Sequence, residues 1–271
     1  ITVAMNTLRD AKHPMYSALQ QEFADLRPKV PSLSSSSSSI TSSTHTCGKV
    51  ELLFGPDGSL IGLKDGASSW SDPHHPLVGV RYKSYSSTDV ENFFSTYCKS
   101  NASWVAHDYG KPNMPKDTLG KIWMPTVVEI YAEEKMEKTK KMEAEDEVSS
   151  TCTYVVHATF DGQAANVQYG AVSDVWTNYT VLLDTEGGLS SVSVTMGMFN
   201  KTTTRLPESM FVQFHPLLDD GSWEASTLGS WLNPYDVLDG GSKRLFGSNK
   251  VRASKKEKEN YPKRMTITSM D

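Results

Sequence analysis

Apolar residues recur at Met15, Leu19, Phe23 and Leu26, steps of four and three that set them on one helical face. Residues 1–31 are accordingly predicted helical. Pro14 suits a first-turn position, where its missing N–H would be unpaired anyway, and Pro28 and Pro31 end the pattern. A short amphipathic helix of this kind has to dock on something. The periodicity then stops. Residues 32–47 are rich in Ser and Thr, cannot bury apolar area against their ordering entropy, and read as a linker and domain boundary.

From Lys49 the pattern is that of strands. Val50–Phe54 and Ser59–Leu63 flank Gly55-Pro56-Asp57-Gly58, turn residues placed where the chain must reverse, so a hairpin is predicted. Leu77–Tyr85 reads as a strand. Thr88-Asp89-Val90-Glu91 matches a capping box, opening a short helix through Phe93, Phe94 and Tyr97. Further strands are predicted at Thr126–Tyr131, Cys152–Phe160 and Ser209–His215, with a second hairpin, Trp176–Asp184 and Ser190–Phe199, around Glu186-Gly187-Gly188. Residues 133–147 are almost wholly charged and read as either a solvated helical excursion or a disordered insert. Residues 248–264 read as a basic, polar loop. Short strands and Gly-rich turns make the chain mainly β, a large β-sandwich with a short N-terminal helical segment.

Composition narrows the function classes. The 271 residues suffice for a buried core without staples. Lys+Arg is 27 against Asp+Glu 32, so there is no global basic field for nucleic acid. No run reaches the roughly 18–20 apolar residues of a membrane-spanning helix. Cys47, Cys98 and Cys152 allow at most one bridge, and Cys152, inside an apparent strand, reads as a buried thiol. A start at Ile1 and an end within the alternating stretch Met265–Asp271 read as a fragment of something longer.

The sequence holds few chemical signatures. The seven histidines offer no i,i+4 helical pair, and His74-His75 sits between prolines in a turn, so no metal site is predicted. There is no Gly-x-Ser-x-Gly elbow, and Asp239–Arg244 lacks the Walker spacing. Glu208, Asp219, Asp220 and Glu224 are close in sequence, but Asp219-Asp220-Gly221 reads as a solvated turn instead of a glycosidase acid pair. Lys255-Lys256-Glu257-Lys258 reads as a solvated loop. No catalytic residue is assigned. Asn101, Asn178 and Asn200 each open a glycosylation sequon, a slight pointer to the secretory route.

The densest motif runs from Phe199 through Asn200-Lys201-Thr202-Thr203-Thr204-Arg205-Leu206-Pro207-Glu208 to Phe211, then Phe214-His215-Pro216. Leu228–Leu238 and Gly240-Gly241-Ser242 follow it. With Gly58–Leu63, Val80–Tyr85 and Trp176–Tyr179, these stretches resemble the domain of unknown function 5054 family, whose members resemble the α-mannosidase-like enzymes of glycoside hydrolase family 38. The resemblance implies a three-part parent: a catalytic barrel, a helical middle segment and a large sandwich of the galactose-mutarotase-like supersandwich kind. Residues 1–31 then resemble the end of the middle segment, and 48–271 the sandwich, with 133–147 an insert. The catalytic aspartate and the zinc ligands of such enzymes belong to the N-terminal domain, so this chain inherits neither, and that domain is an implied partner. Carbohydrate is the other implied partner. Candidate carbohydrate-binding or motif residues are Asn200, Lys201, Thr202, Arg205, Pro207, Glu208, Trp176, Tyr179 and Trp231, with Trp223 as a further stacking platform. The motif itself reads as a corner locking two strands, with Arg205 bridging carbonyls or a carboxylate and Pro207 fixing the backbone. A free-standing carbohydrate-binding module and a structural or protein-interaction sandwich are the alternatives.

Overall fold

Val50, Leu52 and Phe54 alternate with Glu51 and Leu53, and only the first set is fully buried. That period of two marks one core face, and it recurs through the structure, a computed structural model. Residues 2–26, 29–31, 33, 38–40, 44–97, 114–139, 147–218, 224–227, 230–232 and 265–267 are described.

A four-stranded antiparallel sheet runs in the order β2 (Thr44–Cys47), β3 (Val50–Phe54), β4 (Leu60–Asp65), β5 (Ser68–Ser71). A five-stranded sheet runs β1 (Ser38–Ile40), β8 (Thr126–Thr139), β9 (Glu147–Thr159), β10 (Asp174–Leu183), β11 (Leu189–Phe199). The two share one core. Val50, Leu52, Phe54, Leu60 and Leu63 meet Ile130, Tyr154, Val156, Tyr179, Val181 and Leu183. Each such side chain contributes about 1.5–3 kcal/mol by leaving water. A disulfide, Cys47–Cys152, joins the layers.

A third sheet, β6 (Gly79–Ser84) between β12 (Glu208–Gln213) and β7 (Lys121–Trp123), closes a second core. There Tyr82 packs with Phe160, Ala165, Tyr169 and Val175. Ala165 comes from the short helix α4 (Ala164–Val167). A two-stranded sheet pairs β13 (Ala225–Thr227) with β14 (Ser230–Leu232). The fold is thus mainly β and sandwich-like, with a short helical segment at its N-terminal end.

Several local expectations need correction. The N-terminal segment is two helices, α1 (Thr2–Asp10) and α2 (Met15–Asp25), with Pro14 as the N-cap of the second, not in its first turn. The hydroxyl–carboxylate cap of α3 (Ser87–Tyr97) lies two residues earlier than expected. Ser86 Oγ accepts from the Asp89 amide at 3.1 Å, and Asp89 accepts from the Ser86 amide at 2.8 Å. Residues 38–40 and 44–47, read as linker, are strands, because β8 and β3 offer them open edges. Residues 133–139 and 147, read as a helical or disordered insert, extend the β8–β9 ladder through the pair Thr139↔Glu147. Strong flanking β-formers such as Val127, Ile130 and Tyr131 set a register that the charged residues continue. Cys152 is not a free buried thiol, since it faces Cys47 across the core.

Candidate functional site

The face of the five-stranded sheet turned away from the core carries a concentration of rings and carboxylates. In β10 the odd-numbered residues from Val175 to Leu183 are buried, and Asp174, Trp176, Asn178 and Thr180 are half-exposed on the opposite face. Register places Trp176 directly across from His157 of β9 and Gly197 of β11. His157 lies across from Glu129 of β8. One row therefore reads Glu129, His157, Trp176, Gly197 across four strands.

The rings stand nearly parallel. His157 stacks on Trp176 at 4.1 Å between centroids and 8° between planes, and Tyr131 is 6.5 Å from Trp176 at 12°. Asp174 binds His157 Nε2 at 2.9 Å, which fixes the imidazole against the indole. The Tyr131 hydroxyl donates to the Glu129 carboxylate. That hydrogen bond, with burial and the carboxylate charge behind it, holds the phenol above its ordinary value and keeps it protonated. At Gly197 an added Cβ would come within 3.0 Å of the Phe199 ring, so glycine there leaves the row its space. The Asn178 Oδ1, two residues beyond Trp176 on the same face, is buried and has no hydrogen-bond partner among the described residues. The result is a narrow aromatic ridge flanked by Glu129 and Asp174.

The motif at Asn200–Glu208 forms a different centre. Lys201 Nζ pairs with Glu208 Oε1 at 2.8 Å and also donates to the Thr202 carbonyl at 2.8 Å. The Tyr82 hydroxyl lies within reach of the Tyr169 carbonyl, at 2.6 Å, and of the other Glu208 oxygen. Its single proton serves one acceptor at a time. Burial first, then the Glu208 hydrogen bond and charge, push this phenol far up, so it stays protonated. Pro207 accepts from the Tyr85 amide at 3.2 Å, tying the turn to the end of β6. The motif thus locks β12 onto β6. The expected agent was Arg205, yet Arg205 is exposed and makes no ion pair among the described residues. Lys201 performs that role, because the turn brings its amine back over Glu208.

The other candidates separate. Tyr179 is wholly buried, and its hydroxyl donates to the Gly58 carbonyl at 2.9 Å. It is a core residue and has no face open to a sugar. Trp231 is placed by backbone alone, opposite Ser226 in the β13–β14 pair. Trp223, Asp219, Asp220, Asn101 and the basic stretches at 239–244 and 255–264 lie outside the described residues. Glu129, Tyr131, His157 and Asp174 belong to no sequence motif. The alternation Asp174-x-Trp176-x-Asn178 was a usable signal for one strand, but the partners on β8 and β9 depend on register.

Two further features border the sandwich. An open cleft of about 300 Å³ is lined by Thr44, His45, Glu133 and Tyr154 beside the disulfide. In the turn before β6, Asp72 caps the amides of His74 and His75 and binds the His75 ring, all at 2.8 Å. Among the described residues no group of three or more His, Cys, Asp or Glu is placed to hold a metal ion. No helix among them is long and apolar enough to cross a membrane.

Comparison with curated proteins and with solved structures returns no match. A family model does match, over residues 1–185, from the helical segment to just past β10. The Asn200–Glu208 motif lies beyond that span, whereas Glu129, Tyr131, His157, Asp174 and Trp176 all fall within it. With that share of its length matched, the chain belongs to the family described as Domain of unknown function (DUF5054).

Proposed function

We propose that this chain is the non-catalytic β-sandwich portion of an α-mannosidase-like protein and that it contacts carbohydrate through the ridge on its five-stranded sheet. The observation that carries the proposal is the near-parallel set Tyr131, His157 and Trp176, bordered by the carboxylates of Glu129 and Asp174. Sugar rings combine apolar C–H faces with hydroxyl donors, and aromatic carbon beside acceptor-only carboxylates complements both. His157 already covers one face of the indole, so the sugar meets the remaining indole surface and the ring edges. Hydrolysis is assigned to a catalytic domain outside this chain, together with any zinc that it uses. The Lys201–Glu208–Tyr82 lock then serves the fold.

The test is a mannose-containing glycan array followed by calorimetry on the best binder. Trp176→Ala is expected to weaken binding at least tenfold, about 1.4 kcal/mol. Arg205→Ala, at the exposed turn, is expected to leave it unchanged. Absence of any glycan binding by the parent chain, or indifference to Trp176→Ala, would remove the proposal.

A second reading, a sandwich whose role is protein contact, is favoured by α2. That helix has no buried residue; its Met15 and Phe23 are 55% and 36% exposed, and Leu26, capping its end, is 79% exposed. It predicts a silent array and a partner that protects α2 from proteolysis.

A further inference from the structure

We infer that Asn200 is an N-linked glycosylation site, so that this chain carries a glycan at the end of β11. Three sequons occur in the sequence, and their surroundings separate them. Asn101 lies outside the described residues. Asn178 is mid-strand, paired with Val155 on one side and Thr195 on the other, and its Oδ1 is buried. The middle residue of that sequon, Tyr179, is in the core. A glycan at Asn178 would emerge beside the stacked rings of Tyr131 and Trp176, displacing close packing.

Asn200 has none of these obstacles. It is the first residue after β11, it is exposed, and its φ of +56° is the left-handed conformation that asparagine tolerates better than most residues. Its side-chain amide makes no hydrogen bond among the described residues, so Nδ2 is available. Lys201 and Thr202 are also exposed, which leaves the whole Asn-Lys-Thr acceptor on the outside of the molecule. A second, independent observation points to the compartment where such modification happens. The disulfide Cys47–Cys152 joins the two layers, and structural disulfides persist in oxidising, secretory environments.

The chemistry needs a lipid-diphosphate-linked oligosaccharide and its transferase. Asn200 Nδ2 forms a bond to the anomeric carbon of the sugar. The bond from that carbon to the diphosphate oxygen breaks, the lipid diphosphate leaves with the electron pair, and Nδ2 gives up one proton. Lys201 takes no part in the step: its amine is held by Glu208 Oε1 and the Thr202 carbonyl, each at 2.8 Å.

The experiment is glycopeptide mapping by mass spectrometry of the protein purified from its own cells, with and without an N-glycan-removing amidase. The expected result is a glycosylated Asn200 peptide that the amidase converts to aspartate, and an unmodified Asn178 peptide. Expressed in the same cells, Asn200→Gln and Thr202→Ala each lose one glycan's mass, while Thr202→Ser retains it. Retention by Thr202→Ser shows that loss in the alanine variant reports the missing sequon hydroxyl and not misfolding. An Asn200 peptide found only unmodified, or an unchanged mass in Asn200→Gln, overturns the assignment.

Discussion

Gly48 turns the chain from β2 into β3 at φ +57°, and the turn is pressed against the opposite layer. The neighbouring Lys49 amide donates to the Gly187 carbonyl at 2.9 Å. A Cβ at position 48 would stand 2.6 Å from Leu183 Cδ1 and 2.8 Å from the Gly187 oxygen. The leucine tip can move, but the carbonyl belongs to a tight turn held by Asp184, which accepts from the Gly188 amide at 2.8 Å. Gly66 supplies a natural control, because it has nearly the same φ, +55°, and no described residue within 4 Å of its would-be Cβ. Gly66→Ala should cost only the left-handed backbone penalty, about 1–2 kcal/mol. Gly48→Ala should cost that plus about 1–3 kcal/mol of overpacking. Urea denaturation of both variants measures the difference. Equal losses would mean that the two turns are not in contact in solution.

At the scale of elements, the β3–β4 turn is fastened to β6 by one carboxylate. Asp57 accepts from the Ser59 hydroxyl at 2.5 Å and the Ser59 amide at 3.1 Å, and pairs with Arg81 at 2.6 Å. Burial works against its ionisation, but the Ser59 hydrogen bonds and Arg81 outweigh burial and hold the carboxyl below its usual range. A carboxyl depressed in the folded state stabilises above its unfolded pKa, about 3.9, and loses that contribution as pH falls through the folded value. Asp57→Asn should therefore lower stability by about 1–3 kcal/mol near neutrality, by leaving a partly buried Arg81 without its anion. The gap from the parent should narrow below about pH 4. Denaturation midpoints across that range check the sign. The hairpins themselves were legible in sequence, since Gly55-Pro56-Asp57-Gly58 and Glu186-Gly187-Gly188 sit between clean alternations. What stayed illegible depends on pairing. Polyserine β1 has no pattern of its own and is a strand only because β8 has a free edge. The aromatic ridge draws on β8, β9 and β10, and a slip of one residue in any of them would turn its rings to the other face.

For the whole molecule, the decisive covalent link is the one between layers. Cys47 lies on the edge strand of the four-stranded sheet, Cys152 in the middle of the five-stranded one, and both are nearly fully buried. They are separated by 105 residues, and the intervening chain contains β3 to β8 and α3. Closing a loop of that length removes much of the unfolded chain's freedom, and the chain-entropy model gives about 4.7 kcal/mol for about 100 residues. Measured bridges usually deliver less, so a loss of about 2–4 kcal/mol is expected on removal. The double variant Cys47→Ala/Cys152→Ala and the reduced parent chain should shift to lower urea midpoints by similar amounts. Equal shifts locate the effect in the bridge, because the alanine pair also removes the sulfurs and reduction does not. The double variant should no longer respond to reductant, whereas the parent should. Thiol titration of the unfolded chain supplies the direct count: of three cysteines, two should become reactive only after reduction. Three reactive thiols before reduction would dissolve the bridge, and with it the link between this fold and an oxidising compartment on which the Asn200 assignment partly stands.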